Sequence, residues 1–228
     1  GLLNPRMILP LLDGVLIGET DTNDIHLHRD TDDDGVADER TLWFDGGARG
    51  GNVEHQPTGL VWSMDNWLYT TYNKYRLRVA PDGSAIQEET GGNKGQWGLT
   101  QDDAGKVIFV DGGSGIGPVH TLFHHTYTTW HPDWISEEGF RQLHGVGTWF
   151  DGHSGFGSHD ANGSHKGFTA TCGQAVFRGD RLPEELRGDL FFSEPVARLV
   201  RQTEFDVDDM GRQVMRNATP GTEFIRST

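Results

Sequence analysis

The sequence predicts an all-β fold, and three observations lead to this prediction. The 228 residues include 32 glycines and 9 prolines, 10% of the residues are aromatic, and long apolar stripes of helical period are missing. Short aromatic-rich strands separated by tight turns produce this combination. A chain of this length can form one large β domain or two small ones.

Internal repeats favour one all-β architecture. Segments 59–71 (GLVWSMDNWLYTT) and 98–110 (GLTQDDAGKVIFV) both consist of Gly-Leu, a short strand, an acidic turn and a second apolar strand. Gly59 and Gly98 lie 39 positions apart, and looser copies end at 12–19 and 186–194. This period is typical of a β-propeller of four-stranded blades, with four or five blades in this chain. A β-sandwich with similar turns is the alternative.

Charge and composition exclude several partners. The formal net charge of −15 repels nucleic acid and anionic membranes. No apolar run reaches the roughly 18 residues of a transmembrane segment. Cys172 is the one cysteine, so there is no internal disulfide, and we expect a small buried residue there rather than a nucleophile.

Residues 30–38 (DTDDDGVAD) predict a calcium loop. Calcium takes six to eight oxygen ligands, and a local loop supplies them at alternate positions around a glycine turn. The predicted ligands are Asp30, Asp32, Asp34, the carbonyl of Val36, and Asp38. Thr41 stands where a helix-loop-helix site has a bidentate Glu, so we expect a shortened loop between strands. A solvated acidic turn is the alternative.

The calcium loop also suggests a compartment. Sites of this kind fill where Ca²⁺ is millimolar, which predicts a periplasmic or extracellular location.

Histidines are concentrated in a glycine-rich insertion at about 118–165. Eight of the chain's 11 histidines lie between Val119 and His165. Imidazole binds Cu, Zn and Fe, and His124-His125 and the pair His153/His159 have the spacing of candidate ligands. Scattered surface histidines in a long insertion are the alternative.

Three stretches carry a family resemblance: 51–69, 95–103 and 168–195. In these stretches the chain resembles the membrane-bound dehydrogenases of bacteria, which are similar to the glucose/sorbosone dehydrogenase β-propellers. The resemblance covers most of the chain and implies a six-bladed quinoprotein propeller. We therefore expect residues 1–228 to be a single propeller domain or a fragment of one.

The resemblance also implies a cofactor and a catalytic base. Pyrroloquinoline quinone would sit over the central channel beside a calcium ion, and His55 occupies the register of the base that takes a proton from the substrate hydroxyl. Lys94 and Trp97 would contact the quinone. Gly95 replaces the family's Asn, and Trp97 replaces its Gln. A structural role for His55 at a blade top, and a packing role for Trp97 between blades, are the alternatives.

These observations give two functional hypotheses. The first is an extracytoplasmic oxidoreductase of the quinoprotein type, which oxidises a sugar or polyol with His55 as general base and passes electrons to a cytochrome. The second is a non-catalytic, calcium-stapled β-propeller that serves as a binding or assembly module of a larger complex.

Overall fold

The computed structural model describes residues 1–90, 95, 97–110, 119–121, 170–207, 209, 213–219 and 222–227. These residues form antiparallel sheets joined by turns and two single-turn 3₁₀ helices, Val53–His55 and Glu184–Leu186. The all-β prediction is confirmed. In the described ranges, no helix has the length and apolar character needed to cross a membrane.

The first sheet is a four-stranded meander in which each strand pairs with the next along the chain. Its strands are β1 (Pro5–Leu11), β2 (Gly14–Glu19), β3 (Ile25–Arg29) and β4 (Glu39–Phe44). Alternate residues point to opposite faces. On one face of this sheet, Met7, Leu16 and Ile25 are buried.

The remaining sheets repeat this plan. The second consists of β5 (Val61–Trp62), β6 (Leu68–Tyr69), β7 (Tyr75–Val79) and β8 (Ala85–Glu89). The third contains β9 (Thr100–Gln101), β10 (Val107–Val110) and β11 (Val119–Thr121), and the fourth β12 (Cys172–Val176), β13 (Leu190–Glu194), β14 (Leu199–Val207) and β15 (Gln213–Asn217). The short strand β16 (Ile225–Arg226) pairs with the beginning of β14.

Three apolar layers hold consecutive sheets together. The layer between the first and second sheets includes Leu16, Ile25 and Leu77, and the next layer joins Trp67 and Tyr69 to Val107. The third layer joins Ile108 to Phe192. Each sheet is therefore stacked face to face on its neighbour, as in the blades of a propeller.

The segments that begin the four blades also contact one another in chain order. The Gly59 N–H donates to the Arg6 carbonyl (3.1 Å), the Gly98 N–H to Thr58 Oγ1 (2.8 Å) and the Val176 N–H to Thr100 Oγ1 (3.2 Å). This succession confirms a β-propeller. The first two sheets have four strands, the third has three in the described residues, and the fourth has five because β16 joins it. The six-blade count implied by the resemblance stays a prediction.

The two glycines that open the sequence repeat touch each other. Gly59 has a φ of +66°, and a Cβ at this position would lie 2.8 Å from the Gly98 Cα. Only glycine avoids both the strained backbone and the clash. The repeat therefore marks the point where two neighbouring blades begin side by side.

Candidate functional site

Strand direction defines two ends of the blades. One end carries the loops that join one blade to the next and the loops between the second and third strands of a blade. We call the surface of these loops the top surface. We call the opposite end of the blades the lower end. The top surface contains 20–24, 45–60, 70–74, 90, 95 and 97–99. Gln56 ties two of these loops together, because its amide donates to Asp21 Oδ1 and accepts from the Asp21 N–H, both at 2.7 Å.

His55 lies on the top surface at the end of the Val53–His55 turn. Its ring is stacked on Tyr72 with centroids 5.4 Å apart and planes 2° from parallel. Arg49 contacts both residues of this stack: its guanidinium donates to the His55 carbonyl (3.1 Å) and lies 5.6 Å from the Tyr72 ring centre. The side chain of His55 is exposed, so it can reach a ligand at this surface.

Trp97 forms a second aromatic–cation pair on the top surface. The Arg6 guanidinium lies 5.0 Å from the Trp97 ring centre and also donates to the Val53 carbonyl. Burial lowers the pKa of Arg6 and the nearby Asp21 carboxylate opposes this shift. Trp97 keeps 42% of its surface exposed, so its role is not that of a buried packing residue.

Position 95, two residues before Trp97, has no room for a side chain because Phe109 occupies the space. Gly95 is buried, and a Cβ there would lie 2.7 Å from Phe109 Cδ2. An Asn at this position would therefore collide with Phe109 as it lies in this structure. Lys94, the other expected quinone contact, lies outside the described residues.

The predicted calcium loop, 30–38, connects β3 and β4. Oxygen atoms of Asp30, Asp32 and Asp38 all lie within 4.8 Å of one another. Two ligands that share one Ca²⁺ at about 2.4 Å can be no more than about 4.8 Å apart, so the three carboxylates fit one coordination sphere. Asp34 Oδ1 instead accepts from the Val36 N–H (2.7 Å).

Local hydrogen bonds shape this loop. Asp30 accepts from the Gly35 N–H (2.7 Å) and the Asp34 N–H (3.2 Å), and these bonds lower the pKa of its carboxyl. Gly35 has a φ of +87°, which lets the chain turn sharply at this point. Thr31 Oγ1 donates to both oxygens of Asp38, at 2.9 and 2.8 Å. The loop is thus folded around its carboxylates.

The structure does not bring the calcium loop and His55 together. β3 begins beside the top surface and ends at Arg29, which forms an ion pair with Asp13 in the turn at the lower end (2.8 Å). A strand of five residues spans roughly 16 Å. The predicted calcium loop therefore lies at the lower end, whereas the resemblance implies calcium beside the catalytic base.

Other predicted residues fall into two groups. Burial, followed by the charge of Glu194, raises the pKa of the Cys172 thiol, which disfavours the nucleophilic thiolate. The side chain of Cys172 is half-buried, so the predicted burial is not confirmed. The histidine pairs at 124–125 and 153/159 lie outside the described residues, as does most of the 118–165 insertion.

Sequence reasoning missed the partners of the predicted residues. Arg6, Arg49 and Tyr72 come from three different loops or strands, and no local spacing connects them to His55 or Trp97. A left-handed φ of +58° at Tyr72 shows how tightly its loop turns. Only the order of the blades could have indicated that these side chains share one surface.

Comparisons with known proteins show low overall similarity to solved structures. Virginiamycin B lyase from Staphylococcus aureus is 12% identical, with a TM-score of 0.40 over 96% of this chain and 72% of that chain. Hsv2 from Kluyveromyces lactis is 13% identical, with a TM-score of 0.46 over 93% and 61%. A glucose dehydrogenase is 13% identical, with a TM-score of 0.43 over 96% and 88%. At these values no activity transfers to this chain.

Sequence comparison identifies the family. No curated protein matches the chain significantly. The model of a domain of unknown function, DUF7133, matches residues 1–228. The chain therefore belongs to the DUF7133 family.

Proposed function

We propose that this chain is a calcium-stapled β-propeller module that binds a small sugar-like or polyol ligand on its top surface. The observation that carries the proposal is the closure of position 95 by Phe109. With position 95 closed, the chain lacks the Asn amide that the quinoprotein resemblance implies would contact the quinone. The aromatic and cationic side chains of the top surface are still present. Gly95 does not offer pyrroloquinoline quinone the amide contact that the resemblance implies.

The top surface has the chemistry for polyhydroxylated ligands. Sugars stack their C–H faces on aromatic rings and accept hydrogen bonds at their hydroxyl groups. Trp97 supplies an exposed ring, and Arg6 and Arg49 lie within 5.0 and 5.6 Å of the Trp97 and Tyr72 ring centres as donors. The Tyr72 ring is already stacked on His55. These cation–π contacts hold the rings in place before a ligand arrives.

Calcium has a structural role in this proposal. Bound to Asp30, Asp32 and Asp38, the ion would offset the repulsion of three carboxylates and fix the β3–β4 connection. Its place at the lower end separates it from the ligand. Because loops of this kind fill where Ca²⁺ is millimolar, the proposal includes a periplasmic or extracellular location.

The second candidate function is oxidation of the bound sugar or polyol, and the exposure of His55 on the top surface favours it. A histidine there could take the proton of a substrate hydroxyl. The hydride would pass to an acceptor, for which the resemblance implies a quinone and then a cytochrome.

Binding and turnover experiments on the calcium-saturated chain separate the two candidates. Glucose, sorbitol and related polyols are titrated while tryptophan fluorescence is followed. We expect saturable binding that Trp97→Ala abolishes and Trp62→Ala, a matched exposed tryptophan at the lower end, leaves intact. If none of the polyols binds, the proposed binding function is wrong.

Dye reduction with added pyrroloquinoline quinone tests the second candidate in the same sample. The binding module predicts no reduction above the rate without protein. Turnover that disappears in His55→Gln would establish the oxidoreductase and overturn the non-catalytic proposal.

A further inference from the structure

Two arginines are anchored on the single-turn helix that ends at His55. Arg6 donates to the carbonyl of Val53, and Arg49 donates to the carbonyl of His55 (3.1 Å). Two residues of chain span at most about 7 Å, so these anchoring points are close together. Both arginine side chains are partly exposed. They therefore bring two positive charges to one small area of the top surface.

Aromatic rings fix both guanidinium groups. Arg6 lies 5.0 Å from the Trp97 ring centre, and Arg49 lies 5.6 Å from the Tyr72 ring centre. An arginine normally loses much side-chain entropy when it binds a ligand. Because these rings already restrict the two side chains, less entropy remains to be lost on binding.

Neither arginine forms an ion pair in the ranges that the structure describes. Two carboxylates of the top surface are instead held by N–H donors. Asp21 Oδ1 accepts from the Gln56 amide (2.7 Å), and Asp24 Oδ1 accepts from the N–H groups of Gly46 (2.9 Å) and Gly47 (2.7 Å). The two guanidinium groups thus lack a carboxylate partner within the described chain.

An anionic group on a ligand would supply this partner. Burial lowers the pKa of Arg6, and the charge of Asp21 offsets this shift only in part. An anion beside the guanidinium would therefore stabilise its charged form. Guanidinium–carboxylate hydrogen bonds are also roughly twice as strong as those between neutral groups. A ligand that carries only hydroxyl groups cannot make them.

The rest of the chain limits how much negative charge the ligand can carry. The formal net charge is −15, and Asp45 and Glu54 are exposed on the same surface. These charges repel an anion in proportion to the charge of that anion. A singly charged carboxylate therefore fits the two local cations better than a doubly charged phosphate.

We infer that the ligand of the top surface is a sugar acid, whose carboxylate is selected by Arg6 and Arg49 while its C–H face stacks on Trp97. The inference rests on the proposed function, because it names the class of ligand that the same surface binds. It predicts that uronates and aldonates bind more tightly than neutral sugars and polyols.

Titration with a matched pair of ligands tests the inference. Glucuronate and its neutral amide, glucuronamide, differ only in the charged group, and the binding of each is followed by tryptophan fluorescence of the calcium-saturated chain without quinone. At low ionic strength we expect glucuronate to bind at least about tenfold more tightly than glucuronamide. Added salt should reduce this affinity ratio. Glucose 6-phosphate should bind more weakly than glucuronate.

Arginine variants show whether these two side chains cause the preference. Arg49→Gln and, separately, Arg6→Gln should lower the affinity ratio at least about threefold, whereas Arg49→Lys, which keeps the charge, should retain most of it. The ratio compares two ligands on one variant, so a general loss of affinity does not change it. Arg181→Gln removes a charge from a 96% exposed side chain in the β12–β13 connection at the lower end and should leave the ratio unchanged. Circular dichroism melting checks the fold of every variant.

The outcomes separate this inference from the proposed function. Equal binding of glucuronate and glucuronamide, tighter binding of glucose 6-phosphate than of glucuronate, or an unchanged ratio in both glutamine variants would overturn the sugar-acid inference. Each of these results would leave the proposed binding of polyhydroxylated ligands standing. If glucose, sorbitol and glucuronate all fail to bind, the proposed function itself is wrong, and the inference falls with it.

Discussion

At the residue scale, Gly95 shows how packing at one position can exclude a side chain that would contact a cofactor. The family resemblance identified the replacement of Asn by Gly, but the sequence could not give its cause. Phe109 lies on β10 of the third blade and fills the space that a side chain at position 95 would need. The contact joins residues from different segments, so it could be seen only after folding.

Substitution of Gly95 by Asn should therefore destabilise the chain. Overpacking against Phe109 should lower the free energy of unfolding by about 1–3 kcal/mol, measured by urea denaturation. Gly50→Asn is the control, because nothing lies within 4 Å of a Cβ at Gly50, and it should change stability by less than about 0.5 kcal/mol.

A double substitution shows whether Phe109 causes the effect. Gly95→Asn should cost less in a Phe109→Leu background than in wild type, because the smaller side chain leaves room. An unchanged stability of Gly95→Asn itself would show that Phe109 moves aside and that position 95 can present an amide.

Tyr75 gives a prediction about alkaline pH. Burial raises the pKa of Tyr75 to about 12, from an ordinary value of 10.0. The folded chain therefore holds this proton more tightly than the unfolded chain, and stability is lost as pH rises from about 10 to about 12. Tyr75→Phe should lose about 1 kcal/mol less than wild type between pH 7 and pH 11, measured by urea denaturation. Equal losses in both proteins would contradict the assignment.

At the scale of single elements, β7 carries a charged residue into the interior of the second blade. Arg76 has 2% of its side chain exposed and pairs with Glu88 at 2.7 Å and Asp65 at 3.5 Å. Its guanidinium also lies 4.0 Å from the Trp67 ring centre. The Tyr69 hydroxyl donates to Asp65 (2.6 Å), and burial is the main cause that raises its pKa.

Removal of Arg76 should be costly because it leaves its carboxylate partners without this cation. Arg76→Met should lower the free energy of unfolding by about 2–4 kcal/mol. Arg78→Met is the matched control on the same strand: Arg78 contacts the same Trp67 ring at 4.7 Å but is less buried, so its loss should cost less than about 1 kcal/mol. Equal costs for both would show that the ring contact, rather than the buried ion pairs, stabilises β7.

The sequence predicted the positions of the repeated strands and turns better than it predicted which side chains are buried between them. The Gly-Leu repeat located the starts of the second and third blades, and the looser copies located the β1–β2 hairpin and β13, because each depends on local turn chemistry and apolar runs. Arg76 was not predicted as a buried residue, since an arginine in an alternating strand is normally assigned to the solvent face. Its partners lie up to 12 residues away and become visible only from strand pairing.

At the scale of the whole molecule, strand direction decides which predicted residues can cooperate. Loops after the third strand of a blade lie at the lower end, and loops between blades lie at the top. The calcium loop belongs to the first kind and His55 to the second. The 30–38 motif and His55 could both be selected from the sequence. The resemblance implied that they share one site. The order of strands within the first blade shows that they lie at opposite ends.

The central claim is that calcium acts as a structural staple at the lower end. The most direct test is the melting temperature of the chain in Ca²⁺ and in chelator, for wild type, Asp32→Ala and Asp33→Asn. Both variants remove one negative charge from the loop, but only Asp32 belongs to the carboxylate cluster. Asn also tolerates the left-handed backbone of Asp33, whose φ is +62°.

Calcium at 100 times its dissociation constant should stabilise wild type by about 2.7 kcal/mol, which a higher melting temperature would report. Asp33→Asn should respond like wild type, and Asp32→Ala should lose most of the increase. A wild-type melting temperature that is the same in Ca²⁺ and in chelator, or an equal response of both variants, would contradict the account.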